Sequence, residues 1–330
     1  MYNAKDNRYE TMEYVKAGNS GLKLPRVSLG LWHNFGTNDN YDMMKQLLFT
    51  AFDSGITYFD LADNYGPLPG SAETNFGKIL NSDLKAYRDQ MIIATKAGYD
   101  MWEGPYGNWG SRKHLMAGID QSLTRLNLDY VDIFYHHRPD PETPIEETLD
   151  ALCDIVKQGK ALYIGLSKYN AQDTEYAVNY LSRRGVKVVV NQFRYNLFDR
   201  HCETEGLLEM LKKTGIGSVC FSPLAQGLLT DRYLEGIPND SRAHLNHFLK
   251  EDSITPELVD KLKQLNQLAT QRGQSLAAMA LAWVLKNDNI TTVLIGASHP
   301  EQITDNLKVL SSPEFTSEQL SEIDRILGGK

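Results

Sequence analysis

Three short β-rich runs lie close together in the middle of the chain: Val131-Asp-Ile-Phe-Tyr-His136, Leu162-Tyr-Ile-Gly-Leu-Ser167 and Val188-Val-Val-Asn-Gln-Phe193. Each is almost continuously apolar rather than alternating, the pattern of a parallel strand buried on both faces. The same kind of run recurs outward in both directions: Val27-Ser-Leu-Gly-Leu31, Thr57-Tyr-Phe-Asp60, Met91-Ile-Ile-Ala-Thr-Lys96, Ser218-Val-Cys-Phe-Ser-Pro223 and Thr292-Val-Leu-Ile-Gly-Ala297. That makes eight, and the first seven start 26 to 40 residues apart, room for one strand and one crossover helix. Helical patterns fill the gaps. Residues 72–80 place Phe76, Ile79 and Leu80 on one face, and residues 114–126 repeat Leu115, Ile119, Leu123 and Leu126 at three- and four-residue intervals. Pro144 followed by two glutamates opens another helix, and Thr255 is a cap for the helix beginning at Pro256. Eight strands alternating with helices predict a closed (β/α)8 TIM barrel, an α/β fold. Residues 13–25 read as a hairpin able to plug its bottom, and extra helices follow the polar loop at 226–253. A doubly wound sheet is the competing fold, but the G-x-G-x-x-G turn that such a sheet uses for dinucleotides occurs nowhere.

Composition narrows the function classes. The chain has 330 residues, 34 Lys and Arg against 42 Asp and Glu, a net charge of −8, and 42% apolar residues. That is an ordinary soluble composition, expected to form one domain over residues 1–330. An acidic balance without a basic block argues against nucleic acid as partner. The longest apolar stretch, residues 276–285, is too short to cross a bilayer, and residues 1–6 lack the apolar core of a secretory signal. Cys153, Cys202 and Cys220 are odd in number and show no metal-ligand spacing, so no metal site is expected. Lone cysteines of this kind suit a reduced, cytoplasmic setting as small core residues.

Barrel enzymes carry their chemistry at the C-terminal ends of the strands. Here those ends are Asp60, Lys96, His137, Ser167, Gln192, Ser222 and Gly296. Neighbouring strands lie about 5 Å apart, so the Asp–Lys–His set converges. Tyr65 follows five residues after Asp60. Beside a lysine it becomes a candidate proton donor, since a nearby ammonium should lower a phenol pKa from its usual ~10, while Asp60 should keep Lys96 charged. His137 is placed to hydrogen-bond a substrate carbonyl. The adjacent His136 points to the opposite face by strand alternation and is expected to be structural.

These residues resemble those of the aldo-keto reductase family, from about Gly21 to the end of the chain. The resemblance is carried by Phe59-Asp-Leu-Ala-Asp-Asn-Tyr-Gly66, Ala94-Thr-Lys-Ala-Gly98, Val131-Asp-Ile-Phe-Tyr-His-His-Arg-Pro-Asp140, Val190-Asn-Gln-Phe-Arg-Tyr-Asn196, Phe221-Ser-Pro-Leu-Ala-Gln-Gly227 and Ile295-Gly-Ala-Ser298. It implies a catalytic tetrad of Asp60, Tyr65, Lys96 and His137, and NADPH lying across the barrel mouth without a dinucleotide-binding domain. By the same resemblance Ser167, Lys168 and Gln192 meet the carboxamide and Phe221 stacks on the nicotinamide, with Gly30, Trp32, Asp60 and Gly296 around it. Ser222, Leu224, Gly227 and Arg232 line the pyrophosphate, and Ser298, Gln302, Asn306 and Arg242 the adenosine end. Three positions depart from the common pattern. Lys168 stands where many members have asparagine, Leu61 where threonine is commoner, and His299 where arginine often meets the 2′-phosphate. A neutral imidazole binds a dianion more weakly than guanidinium does.

Within the family, Leu29-Gly-Leu-Trp-His-Asn-Phe-Gly36 and residues 96–107 are similar to the L-glyceraldehyde 3-phosphate reductase branch, which also reduces methylglyoxal and is related to potassium-channel β subunits. That implies a small aldehyde substrate walled by Trp32, Tyr65, Trp102, Tyr106, Trp109 and His137. Arg138, Arg112 and Lys113 are the nearest cations in sequence for a substrate phosphate. It also implies a homo-oligomer, a tetramer or an octamer. Two other readings stay open at this point. One is an NADPH-binding redox-sensing subunit, in which asparagine typically replaces His137. The other is a barrel aldolase using Lys96 as a Schiff-base nucleophile.

Overall fold

The computed structural model describes residues 2–66, 68–238 and 249–328. An antiparallel hairpin comes first, β1 (Tyr14–Lys16) and β2 (Lys23–Pro25), with Val15 opposite Leu24. Eight parallel strands follow: β3 (Val27–Gly30), β4 (Tyr58–Asp60), β5 (Ile92–Ala97), β6 (Val131–His136), β7 (Ala161–Ser167), β8 (Val188–Arg194), β9 (Gly217–Phe221) and β10 (Thr292–Ile295). Each pairs with the next and β10 closes on β3, so all eight runs read from the sequence are barrel strands in chain order.

The outer layer is formed by α1 (Tyr41–Asp53), α2 (Ser71–Ile79), α3 (Arg112–Leu126), α4 (Ile145–Lys157), α5 (Ala171–Ser182), α6 (His201–Thr204) and α7 (Leu207–Thr214), continued by α8 (Pro256–Gln271), α9 (Leu276–Leu285), α10 (Pro300–Leu307) and α11 (Ser317–Leu327). Their ends follow local chemistry. Ser111 caps α3 by accepting from the His114 N–H, and Asn127 ends that helix in the left-handed region. Thr255 caps α8 at the Leu258 N–H, as its sequence suggested. Pro144 sits one position earlier than expected, as the cap residue of α4, while Glu146 and Glu147 occupy the first turn. Cys153, Cys202 and Cys220 are buried free thiols. Among the described residues no helix is long and apolar enough to cross a membrane, and no cluster of His, Cys, Asp and Glu could hold a metal.

Strand alternation divides the apolar residues into two sets. Tyr58, Ile92, Ala94, Ile133, Tyr135, Val190, Val219 and Leu294 fill the barrel interior. Ala17 and Leu24 of the hairpin join that cluster, which is how the hairpin closes the N-terminal end. The larger set packs strands against helices. Side chains two residues apart share a face. Stepping two residues on from Tyr58, Ala94, Tyr135, Val190 and Val219 therefore reaches Asp60, Lys96, His137, Gln192 and Phe221. The barrel delivers those five groups inward at its C-terminal mouth.

One glycine protects this arrangement. Gly165 lies beside Tyr135 in the β6–β7 register, and a Cβ there would meet Tyr135 Cε1 at 2.3 Å. Tyr135 is fully buried, with no room to retreat. Gly165→Ala is expected to destabilise the fold by about 1–3 kcal/mol through overpacking, read as a lower urea midpoint. An unchanged midpoint would mean that the Tyr135 ring has freedom that this packing denies it.

Candidate active site

Lys96 sits at the centre of the mouth with no exposed surface. An ammonium has three N–H donors and no acceptor, so burial demands three acceptors. It has them: Asp60 Oδ2 at 2.5 Å, the Leu61 carbonyl at 2.7 Å and Tyr65 Oη at 3.3 Å. Asp60 is braced in turn. Its Oδ1 accepts from Tyr58 Oη at 3.0 Å and Gln192 Nε2 at 2.9 Å. Tyr58 spends its single proton on Asp60, which makes Tyr135 the donor in the 2.7 Å contact between the two phenols. Sequence reasoning missed both tyrosines, although each lies two residues before a predicted site residue, on the same face.

Tyr65 is half-buried, and its ring meets His137 edge-on at 5.8 Å and Trp32 at 6.3 Å. The structure thus brings Asp60, Tyr65, Lys96 and His137 together. His136 behaves as expected for the opposite face: it is fully buried, and its Nδ1 lies 2.6 Å from Tyr169 Oη. Tyr99, also missed, presses against the His137 ring at 4.6 Å.

The Aldo/keto reductase family pattern matches residues 26–327. The chain belongs to the aldo/keto reductase family. It is 51% identical over 327 residues, 98% of this chain and 94% of the relative, to the L-glyceraldehyde 3-phosphate reductases of Escherichia coli K12 and O157:H7. A probable voltage-gated potassium channel subunit beta from Oryza sativa subsp. japonica is 36% identical over 326 residues, covering 97% and 98% of the two chains. As an aldo/keto reductase it is an NAD(P)H-dependent oxidoreductase.

The barrel mouth of this aldo/keto reductase fits such a cofactor. Ser167 Oγ is buried and finds no hydrogen-bond partner among the described residues, an orphan that a carboxamide would satisfy. Gln192 commits an N–H to Asp60 and retains its carbonyl oxygen as an acceptor. Phe221 is half-buried at the end of β9. The segment after it changes hand repeatedly, with Ser222, Ala225, Gln226 and Gly227 all at positive φ, the kind of turn that makes an anion-binding concavity. Leu224 and Gly227 border that turn, and Arg232 lies in the following short helical turn, where its backbone N–H donates to Thr230 Oγ1. Gln302 on α10 accepts from both the N–H and the hydroxyl of Ser298, and Asn306 is buried one turn further along. Gly30 pairs with Asp60 in the β3–β4 register, and a Cβ on Gly296 would meet nothing. Arg242 lies outside the described residues.

The candidate substrate residues are distributed less evenly. Trp32 faces Tyr65, whereas Trp102 packs on His114 of α3 at 5.0 Å and Tyr106 is exposed. Arg138 is stacked between the rings of Tyr99 at 4.0 Å and Trp109 at 3.6 Å, and it donates to the Gly98 carbonyl and to Asn108 Oδ1. It braces the β5–α3 loop. Arg112 and Lys113 turn away from the mouth into a groove lined by Asp120 and Glu147, where Arg112 pairs with Asp154 of α4 at 2.7 Å.

The electrostatics correct two expectations. Burial and the Asp60 carboxylate hold the Tyr65 phenol well above 10, so the nearby ammonium does not produce a low-pKa phenol. Burial also pulls Lys96 below its ordinary 10.5, against the opposing pull of Asp60. His137 is held well below 6.5 by burial and by the positive charges of Lys96 and Lys168, and is neutral. Burial pushes His136 down to about 3. An unfolded chain binds a proton on such a histidine at ~6.5, so between these values the unfolded state holds the extra proton. Stability therefore rises with pH across that window and falls on acidification, by up to about 1.4 kcal/mol per pH unit for each such group. His136→Gln, which keeps a polar partner for Tyr169, is expected to flatten the fall in urea midpoint between pH 6.5 and 4.5. A slope identical to wild type would show that His136 does not titrate this way.

Proposed function

We propose that this enzyme reduces small aldehydes with NADPH, L-glyceraldehyde 3-phosphate and methylglyoxal among them, in the cytoplasm. The observation that carries the reading is the ammonium of Lys96, which spends its third donor on Tyr65 Oη. A phenol oxygen that accepts from a lysine keeps its own proton free for another acceptor, and His137 flanks that position. The 51% identity to L-glyceraldehyde 3-phosphate reductase supports the substrate class.

In this reading the substrate carbonyl oxygen lies between Tyr65 and His137. Reduced nicotinamide, when bound, supplies the hydride that adds to the carbonyl carbon. As charge develops on the oxygen, Tyr65 transfers its proton there, giving the alcohol. The phenolate left behind is stabilised by the adjacent Lys96 ammonium, which Asp60 keeps oriented. His137, neutral, donates an N–H to the same oxygen and positions it. A phenol held well above 10 stays protonated through the neutral range and gives up its proton only to the stronger base formed in the reaction. Ser167 and Gln192 are assigned to the carboxamide, Phe221 to the nicotinamide face, Gly30, Trp32 and Gly296 to the surrounding rim, Ser222, Leu224, Gly227 and Arg232 to the pyrophosphate, and Ser298, Gln302, Asn306 and Arg242 to the adenosine end. With its three donors already committed, Lys96 serves as a fixed charge rather than as an attacking amine.

Tyr65→Phe is expected to lower turnover by about 100-fold or more while leaving the NADPH dissociation constant within about two-fold. Turnover near wild type would remove Tyr65 as the acid. Phe221→Ala is expected to weaken NADPH binding by about 10-fold in a fluorescence titration, from loss of ring stacking. Unchanged affinity would remove the stacking role. NADPH binding with no reduction of any aldehyde by the wild-type protein would contradict the reading as a whole.

A further inference from the structure

A substrate that carries a phosphate needs a cation at the mouth, and of the three cations nearest in sequence two are engaged elsewhere and the third, Lys113, lines a groove beside α4. Arg138 is clamped in the β5–α3 loop, and Arg112 and Lys113 face α4. Lys96 is already neutralised by Asp60. Arg194 stands near Phe221, but it is directed toward Asp199, 3.9 Å away.

Lys168 differs from all of these. It follows Ser167 at the end of β7 in the left-handed region, with φ +62°, and its N–H donates to the Gln192 carbonyl at 2.8 Å. A residue with a long side chain pays about 1–2 kcal/mol for that conformation, and such outliers cluster where function requires a direction of approach. The turn has a geometric consequence. Tyr169, next in the chain, packs behind the barrel against His136, while Lys168 is sent across the open mouth. Its Nζ donates to Tyr99 Oη, lies 4.8 Å from the centroid of the Tyr99 ring and lies 5.8 Å from that of Phe221. Tyr99 is the ring that touches His137. Lys168 therefore spans the gap between the wall of the carbonyl pocket and the ring assigned to the nicotinamide face. It is exposed, one of its three donors is used, and no carboxylate among the described residues forms an ion pair with it.

We infer that Lys168 is the specificity-determining cation of this enzyme, holding the phosphate of a short phosphorylated aldehyde while its carbonyl lies between Tyr65 and His137. The inference rests on the aldehyde-reductase reading above and deepens it. Lys168 takes no part in the chemistry: it binds the substrate's charge, and an ammonium does so as a point charge with rotatable donors rather than as a planar fork. Its positive charge also acts on Lys96 and His137, favouring their neutral forms. A bound phosphate would offset that influence, so the same contact links substrate charge to the state of the site.

The test measures kcat and KM for glyceraldehyde 3-phosphate and for uncharged glyceraldehyde, in wild type, Lys168→Met and Lys168→Arg. In Lys168→Met the ratio of kcat/KM for the phosphorylated over the neutral aldehyde is expected to fall by about 30-fold, carried by KM. Lys168→Arg, which keeps the charge, is expected to retain the ratio within about three-fold. Inorganic phosphate, used as a probe, should inhibit glyceraldehyde reduction competitively in wild type and at least about 10-fold more weakly in Lys168→Met. A ratio unchanged by Lys168→Met overturns the inference, and so does a parallel fall for both aldehydes with weakened NADPH binding, which would make Lys168 a cofactor contact. A wild-type protein that reduces neither aldehyde fails the underlying reading and takes this inference with it. One that reduces glyceraldehyde but keeps its ratio in Lys168→Met fails the inference alone.

Discussion

A lysine ammonium stripped of all water is costly unless every donor is met, and Lys96 meets this demand at the centre of the barrel mouth. Asp60 supplies the countercharge, the Leu61 carbonyl a second acceptor and Tyr65 the third. The remaining capacity of Asp60 is filled by Tyr58 and Gln192, and Tyr58 is fixed in turn by Tyr135. Removing one partner would leave a buried charge uncompensated, which is far worse than removing the pair. The network accordingly holds each member in one orientation, and a chemical role for Tyr65 depends on that rigidity.

The barrel earns this precision through register. Strands β4, β5, β6 and β8 each present a residue of the network or its support on the inner face near the mouth, because side chains two apart share that face. Below that level the interior is apolar and tightly filled by Tyr58, Ile133, Tyr135, Val190 and Val219, so the polar layer has an apolar floor. Space is shared closely enough that the ring of Tyr135 exists only because residue 165 has no side chain. The hairpin that closes the other end contributes Ala17 and Leu24 to the same floor.

Much of this was legible in the chain. Eight β-rich runs at crossover spacing gave the strand count and order, and the polar residues ending them marked the mouth. The separation of His136 from His137 followed from alternation alone, and the structure places the first against Tyr169 and the second against Tyr65 and Tyr99. What stayed hidden depended on contacts between segments remote in sequence. That the Tyr58 and Tyr135 hydroxyls meet beneath Asp60 requires knowing the register of strands that lie 77 residues apart. The direction of the Tyr65 pKa was misread because an adjacent ammonium was weighed without the burial and the carboxylate that come with it. Arg112 and Lys113 are near the mouth in sequence, but the first turn of α3 faces α4, and an acid there claims Arg112. For Lys168 the resemblance implies a place beside the carboxamide and a departure from the common asparagine; its left-handed backbone, which aims it at Tyr99, leaves no trace in composition or periodicity.

The ammonium of Lys96 is fully spent, and Tyr65 beside it keeps its proton. The most direct measurement is a titration of the ligand-free protein carrying 13C at the tyrosine ζ carbon, with the Tyr65 resonance identified by its absence in Tyr65→Phe. This resonance is expected to stay at its phenol position from pH 6 through about 10. A shift to the phenolate position below about pH 9 would contradict it, and would mean that the lysine charge, rather than burial and the Asp60 carboxylate, governs the tyrosine.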